Sequence, residues 1–364
     1  MPKRPTIHDV AEAAGVSIAT VSKAVNGRYG VADETARRVF DAVEALNYES
    51  SLVARSMRSR RTGVVGVLVP AFEPFSTEVL KGVGAALRET DLDLMAYAGA
   101  GQPHGAGWER RSLSRLSGTL VDGAILVTPT VVDVAVEIPV VAIDPHTGPG
   151  QLPTVASDND AGAMLATRHL IELGHRRIAF LAGRGDLLSS QLRERGYRAA
   201  LREAGIRYDP ELVGIGDYSV ESSRPTAHQL LSRPDRPTAL FAANDLSAIA
   251  TLGAAAELGI EVPEELSVVG FDDIPEASRT TPPLTTVRQS MQLLGRTAAE
   301  MLLALMAGET LERHDLTLGT RMVIRGSTAH LGGAAPSASA RPDAPSTSVR
   351  TGRRGTTGAS AART

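Results

Sequence analysis

Six short loops carry the side chains that could do chemistry. "PAFEPFST" holds Phe72 and Phe75, "AIDPHTG" holds Asp144, and "LAGRGDLLSSQLRERGY" holds Ser189 and Arg193. "GDYS" offers Tyr218, "AAND" offers Asn244 and Asp245, and "GFDD" offers Asp272 and Asp273. Acids and an amide make in-plane hydrogen bonds, a guanidinium forks two parallel donors, and aromatic rings present flat apolar faces. Together these groups suit a neutral polyol. Singly, each has an ordinary structural use: an Asp at a strand end commonly caps the next helix, and Asp144 and Asp273 are open to either role. His175 in "LGHRRIAFLAG" ends a helical run, where a histidine can meet the last carbonyls, and Trp108 in "WERRSLSRL" is expected to pack. No H-E-x-x-H, P-loop or G-x-S-x-G spacing occurs, and no Ser/His/Asp set stands at a recognisable spacing, so no enzyme is expected. The absence of cysteine removes disulfides, thiolate metal sites and thiol nucleophiles; neither a metal nor a cofactor is expected.

The elements that must position these loops read as an alternation. Strands are expected at Val64–Val69, Leu94–Tyr97, Gly123–Val127, Val140–Ile143, Ile178–Leu181, Ala239–Ala242 and Ser267–Gly270. Helices are expected at Thr77–Arg88, Ala161–Leu173, Arg193–Ala204 and Leu246–Leu258. Such alternation predicts parallel, doubly wound α/β sheets, which bind ligands beyond the carboxyl ends of their strands, where the loops fall. With 364 residues, 43% hydrophobic and 22% charged, the chain is long enough for two or three domains with a real core. The longest apolar runs are strand length, so no membrane span is expected. No secretory signal is visible after "MPKRPTIHDV".

The first sixty residues differ in kind. From Met1 to Thr62 ten Lys and Arg stand against seven Asp and Glu, a net +3 in a chain whose total is −3. A basic head on an acidic body points to a polyanionic partner for the head alone. In "TIHDVAEAAGVSIATVSKAVNG", Thr6 with Asp9 makes a variant capping box, and Ile7, Val10, Ala11 and Ala14 share one helical face. Gly15 suits a tight turn, Ser17 caps a second helix with Val21 and Val25 inward, and Asn26-Gly27 ends it. A third helix from about Asp33 buries Val39, Val43 and Leu46. This is the helix-turn-helix arrangement, all-α, with the start of its second helix exposed. There Lys23 can donate to guanine, and Ile18 and Ala19 can touch a thymine methyl, while Ser17, Thr20 and Ser22 cap, pack or meet phosphate. Downstream, "SSLVARSMRSRRTG" sets Leu52, Val53 and Met57 among Arg55, Arg58, Arg60 and Arg61. An apolar wedge among arginines suits minor-groove insertion; a basic linker is the plainer alternative.

"TIHDVAEAAGVSIATVSKAVNG", "LNYESSLVARSM" and "RTGVVGVLVP" together resemble the amino-terminal signature of the LacI/GalR family of bacterial transcription regulators, and the likeness runs in order from Thr6 to about Thr328. The resemblance implies that Ile18, Ala19 and Lys23 read bases, that Asn26 supports them, and that Met57 takes the place of a hinge leucine. It implies two lobes like those of periplasmic sugar-binding proteins, with the effector in the cleft and a homodimer through both lobes. Arg193, Asn244 and Asp272 match the polar clamp for hydroxyls, Tyr218 an aromatic platform, Phe75 with Ser76 the first-strand loop, and Asp144 a further acceptor. Leu187 stands where purine-responsive relatives carry an arginine. The chain departs from the family pattern at Ser50-Ser51, where Pro-Asn is usual, at Met57 for Leu, and at Lys23 for Arg.

The expected organisation is a DNA-binding head at 1–49, a hinge helix and linker at 50–62, a two-lobe effector and dimerisation body at 63–330, and a disordered Ala-, Ser-, Pro- and Gly-rich tail at 331–364. The expected function is a cytoplasmic homodimeric repressor, nucleoid-associated when on DNA and released from a pseudo-palindromic operator by a sugar or oligosaccharide. The alternatives are a global regulator that needs a corepressor or protein partner, and, from another class, a sugar-binding module or sugar-modifying enzyme. Met57→Gly is expected to weaken operator binding in an anisotropy titration while leaving sugar binding intact. Unchanged operator affinity would remove the wedge role.

Overall fold

The computed structural model describes residues 5–25, 31–46, 61–99, 107–117, 120–131, 136–148 and 150–332. The expected hinge helix with Arg55 and Met57, the helix-ending Asn26, and the tail from residue 333 lie outside the described residues.

The head is a three-helix unit: α1 (Ile7–Ala14), α2 (Ile18–Val25) and α3 (Asp33–Ala45). Val10, Val21 and Val39 are fully buried, one from each helix, and Ile7, Val16, Val43 and Leu46 pack around them. The Asp9 carboxylate accepts from the Thr6 amide at 2.6 Å and the Thr6 hydroxyl at 2.7 Å, which fixes the start of α1. Gly15 adopts φ 64°, a left-handed conformation that costs a side-chain-bearing residue about 1–2 kcal/mol. That turn lets α2 cross back over α1.

Among the described residues the body contains two six-stranded sheets. In the first, β1 (Val64–Val69), β2 (Asp93–Ala98), β3 (Gly123–Val127), β4 (Val140–Ile143), β5 (Thr154–Ser157) and β11 (Asp315–Leu318) lie in the order β11-β5-β4-β3-β1-β2, all parallel. In the second, β6 (Ile178–Ala182), β7 (Val213–Ile215), β8 (Ala239–Ala242), β9 (Ser267–Asp272), β10 (Thr285–Arg288) and β12 (Arg321–Val323) run β12-β10-β9-β8-β6-β7. Only the β10–β12 edge pair is antiparallel, a departure from the all-parallel expectation. The chain passes between the sheets after Ser157, after Arg288 and after Leu318, so each lobe is built from separate stretches of sequence.

Central strands are buried on both faces, β1 along its whole length, which is why they read as continuous apolar runs. Helices cover them. In the first lobe α4 (Pro74–Leu87) packs on α10 (Met291–Met306), far apart in sequence; α5 (Trp108–Leu116) lies nearby in chain order, with Trp108 packed in the adjoining core as expected. In the second, α6 (Asn159–Glu172) packs on α7 (Leu188–Glu203), and α8 (Val220–Leu231) on α9 (Asp245–Glu257). The α4–α10 contact is unusually close: a Cβ on Gly295 would collide with the Val79 carbonyl, and one on Gly82 with that of Gln292. Gly295→Leu is therefore expected to cost roughly 1–3 kcal/mol or more of body stability by overpacking, read as a lower urea midpoint. An unchanged midpoint would mean that the helices can separate freely.

Candidate functional site

On the head, the α2 surface is built by its buried face. Val21 and Ala24 turn inward, leaving Ile18, Ala19 and Lys23 exposed on the opposite side. Ser17 caps the helix: its hydroxyl accepts from the Thr20 amide at 3.1 Å and lies 2.9 Å from the Thr20 hydroxyl. Ser22 is half-buried. Thr6, at the start of α1, is exposed with its hydroxyl on Asp9. A short helix presenting a cation and small apolar groups, held by a neighbour across a tight turn, fits a major groove.

In the body, buried polar groups gather where the carboxyl ends of the two sheets meet. Arg193 on α7 is the hub. Its Nε donates to Asn159 Oδ1 at 2.8 Å, its Nη1 donates to the Ala243 carbonyl just past β8, and Nη1 lies 3.6 Å from Asp272 Oδ1 at the end of β9. The guanidinium carbon sits 3.8 Å from the centre of the Phe271 ring and 5.7 Å from that of Tyr218. Asp144, past β4 in the first lobe, accepts from the Ser157 amide at 3.1 Å and from Asn159 Nδ2 at 3.2 Å. Asn159 thus ties the acid of one lobe to the guanidinium of the other. A second tie crosses at the same place: the Leu188 amide donates to the His146 carbonyl at 2.9 Å.

The backbone is strained where these groups sit. Asp144, Tyr218, Asp272 and Asp273 have φ values of 44°, 59°, 120° and 61°, in a region that side-chain-bearing residues seldom occupy. Burial also dominates the electrostatics. It pushes the Asp144 carboxyl up to about 6 and Asp272 up to about 7, against the opposing pull of Arg193. Burial, with Arg193 and Arg184 nearby, pushes His146 down to about 4, so its imidazole is neutral. Asp245 is raised by burial and by the Asp272 charge.

The expected effector residues divide by what already holds them. Ser189 meets the Tyr218 hydroxyl at 3.0 Å, and both belong to the Arg193 cluster. Asn244 caps α9 through the Ser247 amide at 3.0 Å and donates to the Tyr218 carbonyl at 3.1 Å, so it shapes the Tyr218 loop. Phe75 is half-buried against the first-lobe core. Ser76 is fully buried, and its hydroxyl donates to Glu73, the cap of α4; that engagement arises because the loop turns straight into a helix. Asp273 pairs with Arg288 and Arg325, and Asp245 accepts from Thr286 Oγ1 at 2.5 Å and the Ile274 amide at 2.9 Å, so both brace the fold. The His175 ring is likewise structural, but it meets Thr238, Ser267 and the Ala329 carbonyl instead of the last carbonyls of its helix. Sequence reasoning missed Asn159, His146 and Gln289, whose Nε2 donates to Asp272 Oδ1 at 2.5 Å. Gln289 Oε1 is buried and has no hydrogen-bond partner among the described residues. Nothing in their local spacing marks these residues; only the meeting of the lobes does. Among the described residues no group of His, Asp and Glu stands ready to hold a metal ion, and no helix is long and apolar enough to cross a membrane.

The pattern of bacterial regulatory proteins of the lacI family matches residues 6–51, and that of the periplasmic binding protein-like domain matches residues 167–328. The HTH-type transcriptional regulator CelR of Thermobifida fusca is 37% identical over 340 residues, covering 89% of this chain and 98% of its own. The chain belongs to the LacI family. This LacI-family protein is therefore a DNA-binding transcription regulator with a helix-turn-helix head and a two-lobe body. The HTH-type transcriptional repressor PurR of Aliivibrio fischeri (strain MJ11) is 34% identical over 332 residues, covering 88% of this chain and 98% of that repressor. The Ribose operon repressor of Escherichia coli (strain K12) is 34% identical over 330 residues, covering 88% of this chain and 99% of that repressor. Among solved structures, a CelR–cellobiose complex is similar at 36% identity and TM-score 0.67, covering 89% of this chain and 100% of that one. The lac repressor dimer bound to operator and the anti-inducer ONPF is similar at 28% identity and TM-score 0.77, covering 90% of this chain and 100% of that one.

The raised carboxyls give the regulator a pH signature. An unfolded Asp titrates near about 3.9, so the folded cleft holds its protons to higher pH than the unfolded chain does. The contribution of these two carboxyls to stability therefore falls as pH rises from about 4 through the folded values of about 6 and 7, while the lowered His146 acts in the opposite sense below about 6.5. Asp272→Asn removes the Asp272 share. Between pH 5 and 8 the melting temperature of the parent should fall relative to that of Asp272→Asn; parallel pH profiles would contradict the raised Asp272.

Proposed function

We propose that this regulator is a homodimeric repressor that leaves a pseudo-palindromic operator when a sugar enters the cleft between its lobes. The observation that carries this reading is the Arg193–Asn159–Asp144–Asp272 cluster, contributed by both lobes. Paired donors and acceptors beside the Tyr218 and Phe271 rings are what hydroxyls and a ring face require. Leu187, apolar and buried at the entry to α7, offers no hydrogen bond to a purine. Relatives named for ribose and cellobiose support the same class.

The proposed residues that meet the effector are Phe75, Asp144, Ser189, Arg193, Tyr218 and Asp272, with Asn244 and Ser76 supporting their loops. On the head, Ile18, Ala19 and Lys23 meet base edges, Thr6, Ser17, Thr20 and Ser22 meet or order the phosphate backbone, and Asn26, Arg55 and Met57 complete the contact. The proposed division is a head to residue 49, a hinge at 50–62, a sensing body at 63–330 and a tail beyond. Two recognition helices enter successive major grooves, and paired hinge segments meet in the minor groove between them. A sugar that binds one arrangement of the lobes better shifts the dimer away from the DNA-binding arrangement. A coupling of about 3 kcal/mol releases operator roughly 150-fold. The protein is proposed to act in the cytoplasm, at the nucleoid when bound, and to catalyse nothing.

Fluorescence anisotropy at fixed salt, on promoter DNA upstream of the neighbouring operon and with a panel of mono- and disaccharides, tests the reading. One sugar should lower operator affinity. Arg193→Met should keep operator binding and lose the sugar response, whereas Lys23→Ala should lose about 1–3 kcal/mol of operator affinity with sugar binding unchanged. Operator binding that a ligand or partner protein strengthens would replace the inducer reading with a corepressor one.

A further inference from the structure

Asp272 ends β9 among other acids. The charges of Glu73, the cap of α4, and of Asp144, past β4, act on it from the first lobe, and that of Asp245 at the start of α9 from the second. Asp273, the next residue, is paired with Arg288 of β10 and with Arg325. His146 is neutral and adds no charge. Against these acids stands one cation, Arg193, whose Nη1 is 3.6 Å from Asp272 Oδ1. Acids gathered in a cleft favour a protonated carboxyl, and burial acts in the same sense.

Gln289 opposes this alongside Arg193. It is the first residue past β10, on the crossover to the first lobe, and it is buried; its Nε2 donates to Asp272 Oδ1 at 2.5 Å. A fixed N–H donor favours the charged acceptor over the neutral acid. The amide and the guanidinium both address Oδ1, and Oδ2 has no donor among the described residues. The other half of the amide makes no bond there: Oε1 is buried without a partner among the described residues. An unbranched apolar side chain would fill similar space without burying that oxygen. The use of an amide at this position therefore lies in its donor and in the carboxylate that receives it.

We propose that Gln289 is a positioning residue of the cleft, which holds Asp272 as a carboxylate with Oδ2 left to accept from a hydroxyl of the effector. The effector part rests on the reading of the cleft as a sugar site; the hold on Asp272 does not. A charged acceptor binds a hydroxyl more strongly than a neutral carboxyl, so effector affinity rises with pH as Asp272 ionises, near the value of about 7 to which burial pushes it. Without the amide the same rise comes about one pH unit later.

Melting curves of the full-length protein from pH 5 to 9 test the hold directly. Subtracting Asp272→Asn from the parent, and the double variant from Gln289→Met, isolates the Asp272 share in each background. In the parent that share should level off near pH 7; in Gln289→Met it should go on falling for about one unit more, a ten-fold rise in proton affinity. Gln289→Leu repeats the comparison if the Met variant does not fold. Titration with ribose, glucose and cellobiose tests the effect on binding. In the parent, affinity for the best-bound sugar should rise between pH 6 and 8, and Asp272→Asn should remove the rise. Gln289→Met should bind that sugar several-fold more weakly than the parent at pH 7 and within two-fold of it at pH 9. Coincident levelling in the two backgrounds, or a flat affinity profile in the parent, would overturn the proposal. So would a loss that persists at pH 9, the mark of a merely structural role. A shifted Asp272 in a protein whose parent binds none of the three sugars would overturn the sugar reading and the effector part with it, and would leave Gln289 as the holder of Asp272.

Discussion

The body is organised around one buried guanidinium. A cation withdrawn from water costs several kcal/mol unless fixed partners surround it, and Arg193 finds them in elements distant in sequence: the start of α6, the carbonyl after β8, and the carboxylate and ring that end β9. Each partner is itself held. Asn159 is shared with Asp144, and Asp272 is held by Gln289. Remove the guanidinium, and buried acids on both lobes lose the charge that draws their affinities for protons downward. The left-handed backbone at Asp144 and Asp272 persists because these partners over-determine it.

The same cluster supports the proposal that the two-lobed body reports occupancy. The lobes are joined by three strands of chain, after Ser157, Arg288 and Leu318, and two of these abut the site: Asn159 follows the first and Gln289 the second. The proposed ligand contacts and the crossovers between the lobes are therefore near neighbours in the chain. The Leu188–His146 bond crosses between the lobes at the same mouth, so a small change in their separation must remake specific hydrogen bonds. Packed interfaces of this kind have discrete arrangements and do not deform continuously, which is what a switch requires. The helix-turn-helix head needs no such freedom. Val10, Val21 and Val39 lock its helices around a small core and hold Ile18, Ala19 and Lys23 outward.

Much of this was legible locally, for identifiable reasons. Strands buried on both faces, such as Val64–Val69 and Ala239–Ala242, stand out because a solvent-free environment demands unbroken apolar runs. Internal β5 and β10 did not, because "TVAS" and "TTVR" are half polar; in β10 distant partners hold the polar groups, Asp245 accepting from the Thr286 hydroxyl and the Ser327 hydroxyl from the Thr285 amide. Edge strands β7, β11 and β12 are half-exposed and carry little apolar signal. Helix α8 contains Pro225, which reads as a breaker, yet it runs from the Ser219 cap to Leu231. The α7 helix starts at Leu188, before the Arg193 expected to open it, which places Ser189 beside Tyr218.

By itself the sequence determined the helix-turn-helix head and the α/β character of the body, because caps, turns and apolar periodicity act within a few residues of chain. Tertiary structure alone decided which polar residues are taken and which remain open. Glu73 engages the Ser76 hydroxyl and the Ser247 amide engages Asn244, while Gln289 Oε1 and the Ser157 hydroxyl are buried without a partner among the described residues. Hydrogen-bond satisfaction is a property of what the fold brings together across the chain, as from Asp144 to Ser157 or from Asp272 to Gln289, and no local pattern encodes it.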